Sequence, residues 1–461
     1  MTRPRAALMA VLLAAPLVVR AALGPRYGGE LRIGALGSTP PTDARPAFGP
    51  TARLVLGMIH ETLLRPGPDG PVPALAASWT PGADGKEWTF VLHPHLEFHD
   101  GTSLTTADAT RSIRRFLRSE SPAAAVLADS LEGGTAFRAG QATDVPGVEA
   151  IDTSELRLRF RAPVSAWSLM PLASPAAAVV SEKGSACGPF VPRVGTGDDL
   201  LFTPFSAHVA GRPFLDRVAI RLVPEARRLM AERRLGRIDL AVGGGSGLLH
   251  APGVLLLTLD ANRPPFDVKE LRAAFSAAID RESMALRMLP GAEPWHRLLP
   301  MADSPGHAGL TASGAPPRPT ATSVVLAVDR TLPPLASQRI VAHLADLGLA
   351  ANVRAVEPGE VRRAAAEVRL MLFEPEIQEP VLTVHEAASL FEAGGVPPAA
   401  FEADPAARHA MALELEERLR ANGTLIPLAR FSRSTEAAPH VHGTRAEAYT
   451  LRVEDTWTAV P

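Results

Sequence analysis

One stretch constrains the fold of this chain more than any other, the run from Gly57 to Arg118. Trp88, Phe90 and Leu92 alternate along Glu87–Leu92, the period of a strand with one buried face. His99-Asp100-Gly101 then reads as a tight turn, with glycine free to take a positive φ and aspartate able to bond its own backbone. A helix is expected to start near Thr105. Thr105-x-x-Asp108 is a capping box with Asp in place of Glu, and Ile113, Phe116 and Leu117 give the helix an apolar face. Strand, turn and capped helix make an αβ module, and none of these residues is catalytic by type.

The wording of the stretch goes further than its period. Glu61, Leu63, Pro73, Leu75, Ala76, Ser78, Trp79, Asp84, Gly85, Phe90, Leu92, the Phe98–Gly101 tetrad, Ala107 and Asp108 stand in one order and spacing. That pattern closely resembles the signature region of family 5 solute-binding proteins, the extracytoplasmic receptors of peptide, nickel and related ABC importers. Two later stretches resemble the same family. Gly211-x-Pro213-Phe214-Leu215-Asp216-x-Val218 is one, without the tryptophan that usually precedes it. Pro265-Phe266 followed by Arg272, Ala273, Ala278, Ile279, Asp280 and Arg281 is the other. Here Asp267 and Glu270 would cap a helix whose buried face is Leu271, Ala274, Phe275 and Ala278.

The resemblance implies an α/β fold of the periplasmic binding protein type II-like kind, two lobes with an additional αβ module. The expected division is a signal peptide at 1–22 and a first lobe from 28–50, 161–250 and 436–461. The additional module would be 51–160, and the second lobe 251–435. Within the second lobe, Val324–Val328, a helix from Leu335 to Leu347 and Asn352–Val356 read as a βαβ unit.

Composition excludes more than it selects. The 461 residues are 46% hydrophobic and 21% charged, ordinary values for a globular chain with a sizeable core. A formal net charge of −2 and no long basic run give no reason to expect a nucleic-acid partner. Arg3 and Arg5 before the apolar run Ala6–Val19, with small residues around position 21, read as a secretory signal cleaved near Ala21 or Ala22. The single cysteine, Cys187, permits no intramolecular disulfide and sits too late to carry a lipid anchor after the signal. The expected location is therefore the periplasm.

Peptide-binding members of the family hold the ligand's ammonium group with an aspartate on the second lobe, in a segment like G-W-x-x-D-x-x-D-P. A carboxylate in a cleft closed to water suits that task, because charge-assisted hydrogen bonds are strongest there. The resemblance carries over to Phe373 for the tryptophan, Glu376 and Glu379 for the aspartates, and Pro380 for the proline. Cys187-Gly188-Pro189-Phe190 stands at a family turn near the cleft, which adds Cys187 to the candidate ligand-binding residues.

His93, His95 and His99 form the most metal-like grouping, since residues two apart on a strand share a face. Pro94 between the first two and the turn at His99 argue for a structural role. The Gly243–Gly247 run lacks the Gly-Lys-Ser/Thr of a phosphate loop and reads as a connection. No cofactor is expected. Five Trp and two Tyr are few for lining a peptide cleft.

The function expected is capture of a small solute, an oligopeptide or related, between two lobes. Delivery would be to an inner-membrane ABC permease, by a protein that is monomeric and not an enzyme. Two alternatives stand beside it: a degenerate binding fold acting as sensor or scaffold, and a periplasmic metal-dependent hydrolase built on the three histidines.

Overall fold

The computed structural model describes residues 24–459 apart from 38–39, 41, 45–48, 68, 194–198, 243–247, 289–291, 301, 303–305, 307–316, 378, 392–403 and 448–449. The expected signal segment and the Gly243–Gly247 run lie outside the described residues. Among the described residues the largest sheet has eleven strands and runs through both lobes.

In the first lobe Glu30–Leu36 lies parallel to Arg217–Val223 on one side and to Leu240–Val242 on the other. Asp199–Pro204 and Phe190–Arg193 continue antiparallel to the edge. In the second lobe Leu248–Leu259 pairs antiparallel with Val368–Phe373, and Ser323–Asp329 lies parallel to Val368–Phe373. The βαβ unit forms as its apolar spacing requires, with Ser323–Asp329 and Ala350–Val356 parallel around the helix Pro334–Asp346.

Two long strands, Leu248–Leu259 and Leu425–Ala437, join the lobes. They pair antiparallel with each other, and the second also pairs with Leu240–Val242 of the first lobe. Their register shifts between Leu249 and Pro252, at the passage between lobes. Beyond it the run Val254–Leu257 is fully buried, since a central strand is covered on both faces. Leu255, Leu257 and Leu259 pack under Leu271, Phe275 and Ile340, while Leu256 packs oppositely with Met371 and Phe373.

The additional module is a four-stranded sheet ordered Ala76–Pro81, Glu87–Leu92, Glu155–Arg159, Val148–Ala150. Trp88, Phe90 and Leu92 face its core, as their alternation requires. Gly101 takes φ 80°, and Asp100 Oδ1 accepts from the backbone N–H and hydroxyl of Thr102. The helix Thr106–Leu117 follows, with Asp108 accepting from the backbone N–H and hydroxyl of Thr105, each at 3.0 Å. Ile113, Phe116 and Leu117 are buried; a side chain of this kind contributes roughly 1.5–3 kcal/mol on burial.

Module and second lobe share one apolar cluster. Ala124 and Leu127 of the helix Pro122–Ser130 belong to it, with Leu169 and Met170, and so do Ile377, Val381, Leu382 and Ala412. The helix Pro50–Ile59 instead packs Leu54, Val55, Met58 and Ile59 into the first-lobe core, where Val441, Leu451 and Val453 of the C-terminal stretch also lie.

One local expectation fails. The helix Lys269–Ala278 begins one residue later than Asp267 would place it, after an extended Val268 that offers no capping side chain. Nη1 of Arg272 turns back to donate to the carbonyls of Phe266 and Asp267, an arrangement of the entering turn that the spacing does not show. Leu271 and Phe275 are buried as expected, but Ala278 is exposed and Ala273 is buried.

Candidate functional site

The helix Pro50–Ile59 turns its aliphatic residues to the first-lobe core, which leaves Arg53 to face the second lobe. Nη2 of Arg53 donates to the carbonyl of Glu374 at 2.8 Å and Nη1 to that of Pro375 at 3.1 Å. One residue further on, the Glu376 side chain meets the module. Ser121 Oγ donates to Glu376 Oε2 at 2.7 Å, and Ser174 Oγ donates to Oε1. Both serines also accept from backbone N–H groups of the short helices they begin, at Ala124 and Ala176. Their acceptors serve the caps and their protons serve the carboxylate.

The Glu376 backbone N–H donates to Glu386 Oε2 at 2.5 Å, and Glu386 is paired with Arg362. Burial, and next the charge of Glu386, push the Glu376 carboxyl above the usual range; the two serine hydroxyls and Arg53 pull it back in part.

Beside Glu376 lies a cavity of about 80 Å³, walled by Arg53, His60, Glu61, Arg65, Arg452 and Glu376 among others, with Leu56 and Pro175 supplying apolar surface. Glu61 is buried at 2% exposure and ionised. Burial opposes its charge, but Arg65, His208 and Arg452 together hold its pKa well below the carboxylate range. Arg65 and Arg452 also approach Glu454, at 3.6 and 2.6 Å.

His60 ends the helix Pro50–Ile59, and its Nε2 lies 2.8 Å from the carbonyl of Thr42. A carbonyl only accepts, so Nε2 carries the proton. Burial lowers the ring's pKa to about 4, so it is neutral and Nδ1 is an acceptor. Among the described residues the buried Nδ1 has no hydrogen-bond partner.

Of the four residues expected to bind ligand, Glu376 lines this cavity. Phe373 is fully buried at the end of its strand, paired with Val254, and belongs to the second-lobe core under the guanidinium of Arg362. Glu379 is a helix cap: it accepts from the N–H of Leu382 at 2.8 Å and faces Arg408 at 3.5 Å. Pro380 at the first helical position explains that placement. Cys187 packs in the module core with its Sγ 3.6 Å from the Val179 carbonyl, and burial raises its thiol pKa far above the usual value, so it is not a nucleophile. Gly188 beside it passes so close to Ile59 and His60 that a Cβ would lie 2.4 Å from backbone.

His99 Nε2 lies 2.9 Å from the Gly188 carbonyl and its ring stands edge-on to Phe205, which ties it to the turn. His95 occupies a turn at φ 58°. Among the described residues no three His, Cys, Asp or Glu side chains gather as a metal site requires.

Sequence reasoning missed the partners of Glu376. Ser121-Pro122 and Ser174-Pro175 are both legible as helix starts, but they lie 255 and 202 residues from the carboxylate they serve. Arg53 and His60 carried no signal beyond their residue type.

The model of the bacterial extracellular solute-binding proteins, family 5 Middle, matches residues 70–370, more than half of the chain. This chain is a family 5 solute-binding protein. Among relatives with curated names, it is 25% identical over 252 residues to the probable D,D-dipeptide-binding periplasmic protein DdpA of Escherichia coli, covering 47% of this chain and 45% of that one. It is 25% identical over 259 residues to the dipeptide-binding protein DppE of Bacillus subtilis, covering 50% and 48%. The chain thus spans about half the length of the curated relatives it matches. Solved structures agree on the fold across nearly all of it. The murein tripeptide binding protein MppA of Escherichia coli superposes with TM-score 0.78 at 18% identity, covering 95% of this chain and 99% of that one. The pheromone receptor PrgZ gives 0.79 at 17%, covering 94% and 100%. The two-lobe α/β fold is therefore shared with these solved structures.

Proposed function

We propose that this family 5 protein is the periplasmic solute-capturing component of an ABC importer, closing its lobes around a small solute of the peptide type and presenting it to a membrane permease. It acts as a monomer, without cofactor and without covalent chemistry. The observation that carries the reading is Glu376: a carboxylate of the second lobe at the wall of a cavity whose other groups come from the first lobe and module. A solute ammonium there would take the place of the serine hydroxyls. Supporting it, the curated relatives are binding proteins by name, and two of those names include the periplasm. Among the described residues no helix is long and apolar enough to cross a membrane.

The joining strands offer the hinge. Affinity in such a device depends on how much the ligand's contacts favour the closed form over the open one. Glu376 is the ligand anchor in this reading, while Phe373, Glu379 and Cys187 support the walls from behind.

A second reading is favoured by one observation. Glu376 already receives two protein hydroxyls, and the apolar cluster it adjoins spans module and second lobe, so the closed form has contacts of its own. That suits a sensor or scaffold that kept the fold. Native mass spectrometry of the protein purified from its own periplasm, with Glu376→Ala alongside, separates the two. A small molecule retained by the parent and lost from the variant supports capture. An empty cavity in both, with a protein partner retained, supports the second reading.

A further inference from the structure

The helix Ala226–Arg234 lies on the first lobe, away from the cavity. Its Leu229 is fully buried with Val223, Ile238 and Ala241. Gly34 of the central strand lies against Leu229, while its neighbours Ile33 and Ala35 pack on the other face with the helix Pro50–Ile59. The first-lobe sheet therefore stands between this helix and the one that carries Arg53 to the cavity.

With Leu229 turned inward, the opposite side of the helix meets solvent. At about 100° per residue, Arg227, Arg228, Ala231, Arg234 and Leu235 share an arc of about 120°. All five are exposed, and Leu235, an aliphatic side chain, is 65% exposed.

The segment from Glu225 to Arg237 holds five arginines and two glutamates. Two of the arginines have carboxylates beside them, Arg233 at 4.0 Å from Glu436 and Arg237 at 3.2 Å from Glu232. Glu232 also approaches Arg221, and Glu225 precedes the helix in extended backbone. No carboxylate among the described residues pairs with Arg227, Arg228 or Arg234. A chain of formal net charge −2 thus turns three unpaired guanidinium groups and one leucine outward together.

Guanidinium groups suit phosphate, which they meet through paired hydrogen bonds. Several cations around one protruding aliphatic chain match an anionic bilayer, where phosphates answer the charges and the acyl boundary takes the leucine. A protein partner would call for an apolar centre, and Leu235 alone is small for one.

We propose that the face formed by Arg227, Arg228, Arg234 and Leu235 docks on an anionic phospholipid bilayer. Docked in this way, the first lobe rests on the membrane with the cavity on the far side of its sheet. The contact is reversible: each basic side chain at such a surface contributes roughly fivefold in affinity, and three together roughly a hundredfold. The proposal does not depend on which solute the cavity takes.

The test is co-sedimentation of the full chain with vesicles of phosphatidylcholine alone and of phosphatidylcholine mixed with phosphatidylglycerol, at low and high salt. The protein should bind the mixed vesicles roughly tenfold or more tightly than the neutral ones, and salt should weaken that binding. Arg227→Gln, Arg228→Gln and Arg234→Gln together should weaken it roughly tenfold or more, with the urea midpoint unchanged because all three side chains are exposed. Leu235→Ser should weaken it several-fold. A control that removes three exposed arginines elsewhere, Arg161→Gln, Arg354→Gln and Arg418→Gln, should bind as the parent does. Equal binding to both kinds of vesicle would overturn the proposal. Equal weakening in the control would overturn it too, since attraction would then follow total charge and not this face. Retention on poly-glutamate without binding to vesicles, lost in the triple variant, would assign the face to an acidic protein instead.

Discussion

Arg53 of the first lobe and Glu374 of the second meet across the cleft through a side chain on one side and a main-chain carbonyl on the other, at 2.8 Å. The link does not depend on which residue stands at 374, only on the path of the backbone there. It therefore reports the relative position of the lobes.

Arg53→Met keeps the aliphatic stem and removes both donors to Glu374 and Pro375. Hydrogen bonds from a charged donor contribute about 1.5–3 kcal/mol, and two buried carbonyls would lose theirs. The expected loss is about 2–4 kcal/mol in urea unfolding, with a larger radius of gyration in small-angle scattering. An unchanged scattering profile would mean that the apolar cluster alone keeps the lobes together.

Glu61 should make the protein acid-sensitive. Its folded-state pKa lies well below the ordinary value, so its contribution is fully present above the unfolded-state value of about 4.3 and is lost as pH falls through the folded value. Glu61→Gln should be strongly destabilising at pH 7, by about 3–5 kcal/mol, since it leaves Arg65 and Arg452 short of a buried partner. The gap between parent and variant should narrow as pH falls below 4, measured by urea midpoints across pH.

Glu376 should behave in the opposite sense. Its folded-state pKa is raised, so its contribution to stability is greatest below the unfolded carboxylate value and is lost as pH rises through the folded one. Glu376→Gln keeps an acceptor for one of the two serines, presents an amide N–H to the other, and removes the charge that burial and Glu386 disfavour. The variant should melt higher than the parent at pH 7, with the advantage vanishing near pH 3. Stability gained where a group is removed is the usual mark of a residue kept for binding. A variant no more stable at pH 7 would show that the ionised carboxylate is well accommodated.

What could be read along the chain follows from how each piece of structure is made. The module's strand, turn and helix are local: Trp88, Phe90 and Leu92 set the buried face, Gly101 the turn and Asp108 the cap, each within a few residues. The βαβ unit is equally local, and the wording of the signature region carried the family. The site was only partly legible. Glu376 stood out by its place before Pro380, but the same spacing also singled out Phe373 and Glu379, and nothing in spacing alone tells a cavity wall from a strand end or a helix cap.

The sequence by itself determined most of the local elements and the family, and offered Glu376 and Glu379 alike as candidate carboxylates. Tertiary structure decided which candidate side chain faces space: Phe373 is drawn inward by its pairing with Val254, and Glu379 is taken by the N–H of Leu382. It also decided the company Glu376 keeps, because Ser121, Ser174, Arg53 and Arg452 reach one cavity only after two long strands bring lobes and module together. Local preferences act over a turn of helix or a strand. Burial and charge act between groups that are neighbours only in the folded chain, and the chemistry of this cleft is of that second kind.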